Sequence, residues 1–336
     1  DRNEVARWYH DHGYHFVSIT DHNRHTDASI VSLPADSRPD FLLVSGMEVT
    51  SDHRYPGVIQ EGERKIHSTA FGTREPVDWR YGDPGKSAIL SLQAERIGAA
   101  GGVQVVSHPN YRFQLVPGDV TESSGVRLIE IANVHPRSNH AGHPGFRPGT
   151  EEFWDRVLTG GKLVYGVAAD DAHDFAWFRQ ALRNHGYAPP GGAWIMVRAP
   201  ELTVTALSEA LLRGDFYGST GVHLADVTVR DGFYRVTLDR ERTLREVRHR
   251  WIRDAAPVVD SDDSHFVIEF IGSHGRILHA VHDHDSAELK LEPEHVYVRA
   301  RIAYLELLPD WLNRNRARAY YAWTQPVMTA AVRSAE

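Results

Sequence analysis

The sequence contains no cysteine. That excludes disulfides, thiolate metal sites and a cysteine nucleophile, and it leaves the redox compartment undetermined. Long apolar runs are missing too. None approaches the roughly 18 residues that a membrane span needs, so an integral membrane protein is not expected. Positive charge is not in excess: 37 Lys and Arg stand against 45 Asp and Glu, a net charge of −8. No broad basic field exists to hold a nucleic-acid duplex or an anionic membrane. No leader with a charged start and an apolar centre opens the chain, so localisation stays open between cytoplasm and export. What the chain does have is histidine, 21 residues of it. Without thiols, a transition metal must be held by imidazole and carboxylate.

The first two thirds alternate strand-like and helix-like stretches. Residues 3–12 place Val5, Trp8, Tyr9 and His12 on one helical face, with Gly13 as the stop. Short, nearly continuous apolar runs at 16–19, 41–44, 103–106, 128–131 and 163–167 have the character of strands buried on both faces. Helical candidates lie at 87–99, 150–158 and 203–212. Repeated β-then-α units predict a parallel sheet with helical crossovers, open or closed into a barrel. After residue 222 the pattern changes to short strands at 225–230, 233–238, 265–271, 276–281 and 296–305, with a helix expected at 311–318. The expectation is an α/β unit over 1–221 and a small all-β, sandwich-like unit over 222–336.

Polar residues that can bind metal end these runs. FVSIT leads into Asp21, His22 and Asn23, and LLVSGM into Glu48. VQVVS leads into His108, and LVYGVAAD, which closes on Asp170, into Asp171 and His173. Lys65-Ile66-His67 precedes STAFG, and the run at 128–131 ends near Glu130 and Asn133. In a parallel α/β fold the carboxyl ends of the strands share one face, so residues distant in sequence converge there. Two carboxylates and four imidazoles form a donor set suited to Zn²⁺, Mn²⁺ or Fe²⁺, and exceed what one catalytic zinc takes. Each piece alone also reads as a cap or turn residue, and His108, preceding Pro109, as a plain strand end. Repetition across the strands favours the metal reading. His10, His12, His15, His25, His53, His135, His140, His143 and His185 are read as solvated or loop residues, with His25 and His53 closest to the proposed ligands. His282 and His284 read as a solvated face, and residues 240–253 as an amphipathic strand or helix.

The segments ITDHN, SGMEVTS, KIHSTAFG, VSHPN and GVAADDAHD, in this order, resemble the PHP (polymerase and histidinol phosphatase) superfamily, and within it the carbaryl-hydrolase-like branch of metallohydrolases. GDFYGSTGVHLADV and YVRARI…YYAWTQPV are similar to the tail of that branch. The resemblance implies a distorted seven-stranded, TIM-like β/α barrel with two or three divalent ions at the strands' carboxyl ends. It implies His22, Glu48, His67, His108, Asp171 and His173 as ligands; Asp21, Asn23, Glu130 and Asp170, beside these positions in the sequence or at the neighbouring strand end, are candidates to support them from behind. The family's opening strand with its H-x-H pair has no counterpart in the sequence, where Asp1 falls near the acidic turn that follows that pair. A truncated sequence missing the first barrel strand is therefore expected.

The resemblance further implies a metal-bound hydroxide as nucleophile. Neither G-x-G-x-x-G nor a G-K-[ST] loop follows a strand, so nicotinamide and phosphate-loop chemistry are not expected. Arg112 and Lys65 are the cations placed to neutralise a phosphate or polarise a leaving group. The first functional expectation is a phosphoesterase acting on a small phosphoester or nucleotide. The second is a carbamate or carboxylic ester hydrolase with the same site. The third is a non-catalytic binding module built on a degenerate barrel.

Overall fold

The computed structural model describes residues 1–33, 40–52, 65–82, 84–145, 147–175, 188, 190–249, 265–307 and 317–329. The chain opens with α1 (Arg2–Asp11), whose first turn is capped by the Asp1 carboxylate accepting from the Asn3 N–H, and which buries Ala6 and Tyr9. Strands β1 (Phe16–Ser18) and β2 (Leu42–Val44) pair in parallel. Then come β3 (Gly46–Asp52), β4 (Lys65–Phe71), α2 (Lys86–Ala99), β5 (Val103–Val106), α3 (Pro117–Glu122), β6 (Leu128–Asn133), α4 (Thr150–Thr159) and β7 (Tyr165–Ala169).

Strands β3 to β7 form one sheet in sequence order. The expected crossovers occur where helices intervene, so β5, β6 and β7 run parallel. The fully parallel sheet is corrected at β4, which runs antiparallel to both β3 and β5. Antiparallel neighbours need no crossover helix, and this reversal brings the start of β4 beside the exits of β3 and β5. Among the described residues the sheets stay open and no barrel closes.

Both faces of this sheet are covered, as the apolar runs required. On one face Val106, Ile129, Ile131 and Ala168 pack on Ile89 and Leu90 of α2 and on Phe153, Trp154 and Val157 of α4. On the other, Val105, Leu128, Tyr165 and Val167 meet Leu207 and Leu211 of α5 (Val204–Arg213). Thr203 caps α5, and Gly214 ends it at φ +78. A Cβ at Gly214 would stand 2.5 Å from the Tyr165 ring, so glycine is required there by both backbone and space.

Strands β8 (Trp194–Val197) and β9 (Phe216–Ser219) flank α5. They are followed by β10 (Leu224–Arg230), β11 (Phe233–Leu238), α6 (Arg240–His249), β12 (His265–Gly272), β13 (Arg276–His282), β14 (Ser286–Lys290), β15 (Tyr297–Leu307), β16 (Ala317–Thr324) and β17 (Val327–Met328). The largest sheet runs β13-β12-β15-β16-β9-β8, with β17 on β15, so it joins strands from both sides of residue 221. A second sheet, β10-β11-β14, shares a core with it through Tyr234, Val236, Phe266, Ile268, Phe270 and Ile302. Of the two alternatives open for residues 240–253, amphipathic strand or helix, the chain takes the helix over Arg240–His249. The helix expected at 311–318 lies mostly outside the described residues, and its last two positions begin β16. No helix among the described residues is long and apolar enough to cross a membrane.

A buried ion pair fastens the two large sheets' layers together. Arg299 of β15, 0 % exposed, donates to both oxygens of Asp155 on α4 at 2.7 Å and to Glu151 at 2.8 Å. The Tyr297 hydroxyl donates to the same Asp155 at 2.7 Å. Removing one partner of such a pair leaves an uncompensated buried charge, at a cost of about 3–5 kcal/mol. Arg299→Met is therefore expected to lower the urea midpoint by an amount equivalent to that cost, and Arg299→Met with Asp155→Leu to recover most of it. An unchanged midpoint in the single variant would show that the pair does not hold the layers.

Candidate metal centre

The chain after β1 hooks onto β3. The Asn23 N–H donates to the Glu48 carbonyl at 2.8 Å, and the Thr26 N–H to the Gly46 carbonyl at 2.8 Å. Asn23 adopts φ +52, and its amide side chain bonds the Thr50 N–H at 2.8 Å and the Thr50 carbonyl at 3.0 Å. That clamp turns His22 toward β3. Gly46 permits the approach, because a Cβ there would lie 2.5 Å from Ser18 Oγ and 2.7 Å from the Ala70 carbonyl.

Strand alternation does the rest. On β3, Met47 and Val49 enter a core cluster while Glu48 and Thr50 take the opposite face. Register sets Thr50 opposite His67, so the two strands deliver Glu48 and His67 side by side. Glu48 is thus inside β3 rather than beyond a strand end. His108 follows β5 at φ +23, far from the extended geometry usual before proline. Strain of this kind persists where surrounding contacts enforce it. Here the His108 N–H donates to Glu130 Oε2 at 2.7 Å.

The result is one carboxylate shared by three imidazoles. Glu48 Oε1 lies 2.7 Å from His67 Nδ1 and 3.3 Å from His108 Nε2, and Glu48 Oε2 lies 3.0 Å from His22 Nδ1. The ligand atoms of His22, Glu48 and His67 lie within 4.8 Å of one another, a group able to hold a metal ion. A polar atom without a partner supports this. His67 Nε2 is buried and has no hydrogen bond, an arrangement that costs stability unless a cation or donor meets it. An imidazole bonded to a carboxylate through one nitrogen, with the other left over, is also how metal-binding histidines are oriented.

Asp171 and His173 lie on the other side of the same opening. Asp171 has φ +51. The Asn133 amide donates to Glu130 Oε2 at 2.8 Å and to Asp171 Oδ2 at 3.3 Å, so it holds these two carboxylates together. The His173 ring lies 6.5 Å from that of His22. His22, Glu48, His108, Glu130, Asp171 and His173 all line one cavity of about 1030 Å³ on the α5 face of the sheet. Asp21 lines it too, held by Arg2 at 2.8 Å, and Asp170 accepts from the Tyr9 hydroxyl at 2.5 Å and the Gly191 N–H at 2.7 Å.

The two proposed cations fall elsewhere. Neither Arg112 nor Lys65 is among the lining residues; Arg112 is exposed, with its guanidinium 5.4 Å from the Tyr111 ring centre. His53 and His185 lie outside the described residues, and His25 faces the Thr73 carbonyl at 3.1 Å. His282 and His284 are exposed. Three participants were not singled out from sequence. Thr50 Oγ1 lies 2.7 Å from His22 Nδ1, the Tyr111 ring lies 5.2 Å from that of His108, and the His135 ring lies 5.0 Å from that of His173. Only His135 carried a signal, as an imidazole just past a buried strand that already ends in Glu130 and Asn133.

The electrostatics follow from this packing. Burial alone would raise the Glu48 carboxyl, but hydrogen bonds with His108 and His67 outweigh it and hold it well below the carboxylate range. Burial opposes charge on His108, yet Glu48, with Glu130 and Asp171 behind it, pushes that imidazole up to about 9. Burial keeps His67 below its ordinary value despite Glu48. Burial pushes Glu130 up to about 7 against the opposing pull of His108. Comparison with protein-family models, with curated proteins and with solved structures gives no match to this chain.

A raised imidazole contributes stability in full below the unfolded value of roughly 6.5 and loses it as pH climbs through the folded value. For His108 that folded value is about 9. Chelator-treated protein should therefore lose about 2 kcal/mol of urea stability between roughly pH 7.5 and 9.5. His108→Gln should flatten this slope. A flat profile in the unaltered chain would mean that the His108–Glu48 pair is not charged.

Proposed function

We propose that this chain is a metal-dependent hydrolase of small esters. The observation that carries the reading is the Glu48 carboxylate shared by His22, His67 and His108, with His67 Nε2 left without a partner. With Asp171 and His173 across the opening, these residues would hold two or three divalent ions, of zinc, manganese or iron. Bound there, such ions supply Lewis acidity and an activated water. The chain's own residues do the rest. Asn133 keeps the Glu130 and Asp171 carboxylates in place. Val105, Val167, Trp194, Leu207 and Leu211 form an apolar wall that takes the organic part of the substrate and excludes bulk water. Strands β1 to β7 are read as part of the distorted barrel that the resemblance implies. The bridges from His22 to Glu48 and from Thr26 to Gly46 support that continuity.

A phosphoester, whose charge such ions would neutralise, is the first substrate class. Carbamate or carboxylic esters form a second reading, which one observation favours. Among the described residues the lining contains many carboxylates and Arg242 as its single Lys or Arg, so away from the ions it suits a neutral substrate better than an anionic one.

Elemental analysis of the purified chain, followed by assay of 1-naphthyl acetate, 1-naphthyl carbamate and p-nitrophenyl phosphate in one metal-supplemented buffer, tests the proposal. Bound metal and turnover are expected. His108→Ala and Asp171→Ala should each lower kcat/KM by more than the roughly 10–100-fold that altering a residue behind a metal ligand costs. A folded chain that stays empty after soaking with Mn²⁺ or Zn²⁺, and turns over none of the three, would point to the binding module instead.

A further inference from the structure

The same cavity contains a second polar feature that the metal cluster does not use. His223, just ahead of β10, is 3 % exposed and lines the cavity, yet neither Nδ1 nor Nε2 has a hydrogen-bond partner. Its backbone is fixed on both sides. The His223 N–H donates to Thr243 Oγ1 at 2.9 Å, and the Asp239 N–H donates to the His223 carbonyl at 2.9 Å. The ring is therefore set in place by the start of α6, with the Trp194 ring 6.0 Å away. Glu246, also on α6 and also lining the cavity, has its carboxylate 3.6 Å from His223 Nε2, beyond hydrogen-bond range.

A neutral imidazole offers one N–H donor and one acceptor nitrogen. Burying both without partners costs folding free energy, and a leucine of similar size would not incur that cost. A core function therefore explains this residue poorly, whereas a ligand group that both donates and accepts would satisfy it. The Glu246 carboxylate disfavours an anion beside it. We propose that His223 and Glu246 form a specificity subsite that binds a neutral hydroxyl group on the organic part of the ligand. The hydroxyl accepts from or donates to His223, beside the partly exposed Glu246 carboxylate. Calling that ligand the substrate rests on the hydrolase reading; the binding geometry does not.

The test uses two probes of nearly equal shape, phenol and fluorobenzene, and a readout that needs no turnover. In chain labelled with ¹⁵N-histidine, the His223 ring resonances are assigned by their loss in His223→Leu. Phenol should shift them at least several-fold more than fluorobenzene at equal concentration, and His223→Leu should lose the preference for phenol in binding. The same variant should melt at the same temperature or up to about 4 °C higher, because an unpaired polar ring has been removed. His223→Gln, which keeps a donor and an acceptor, should retain part of the preference and serves if the leucine variant fails to fold. Equal shifts from both probes, as a water molecule bridging His223 to Glu246 would give, overturn the proposal. So does a fall in melting temperature of several degrees in His223→Leu, which would mark the ring as structural. A chain that binds no metal and turns over no ester, but still discriminates phenol at His223, would refute the hydrolase reading and leave the subsite standing.

Discussion

A buried carboxylate stays charged only if something nearby compensates it, and Glu48 places that demand at the centre of this protein. Three imidazoles meet it, and each comes from a different segment. His22 comes from the loop after β1, His67 from the start of β4, and His108 from the exit of β5. The demand explains local features that otherwise look costly. Asn23 and His108 take left-handed backbone angles, and Gly46 leaves room where no side chain fits. The reversal of β4 belongs with these, since a parallel β4 would carry its first residues to the opposite edge of the sheet.

Much of this arrangement was legible in the sequence, and the reasons are specific. The runs before His22, His108 and Asp171 are apolar on both faces, so their polar sequels had to lie at strand ends, where the fold gathers them. Glu48 was found by the same rule although its position differs: β2 breaks at Ser45, and the polar residue falls inside the next strand. Strand direction was not legible, because period-two alternation is identical in either direction. Nor was side-chain reach. Lys65 shares the His67 face of β4, yet two residues of strand, about 7 Å, separate it from His67 and the cluster. Arg112 follows His108 closely in sequence, but the turn at φ +51 carries it to the surface. Thr50 was not legible because a hydroxyl that positions a ligand has no spacing signature of its own, whereas Asn133 stood with Glu130 at the end of a buried run.

The site also depends on strands that contribute nothing to the cluster. Gln325, beyond β16, closes a pair of hydrogen bonds with the Gly166 backbone of β7, at 2.7 and 2.8 Å. It thereby acts as a short extra rung on the strand that leads to Asp171. Tyr297 and Trp323 from the last third of the chain pack in the same cluster as α2, α4 and the central sheet. The wall facing the cluster is built from β8 and α5, and His223 from the start of β10 completes it. The position of the Asp171 end of the cluster is therefore set in part by residues more than 150 positions later.

That shared framework bears on how such a chain can be inherited. Because β8 and β9 hydrogen-bond into the sheet built by β12, β15 and β16, the junction near residue 221 is a turn within a common fabric, not a seam between separate pieces. Recombination at that turn would leave β9 with a bare edge on one descendant and β16 with a bare edge on the other, both prone to pair with foreign strands. A lineage that moved the C-terminal sheets onto a different scaffold would have to carry β8, α5 and β9 with them, and with those elements the wall of the cavity.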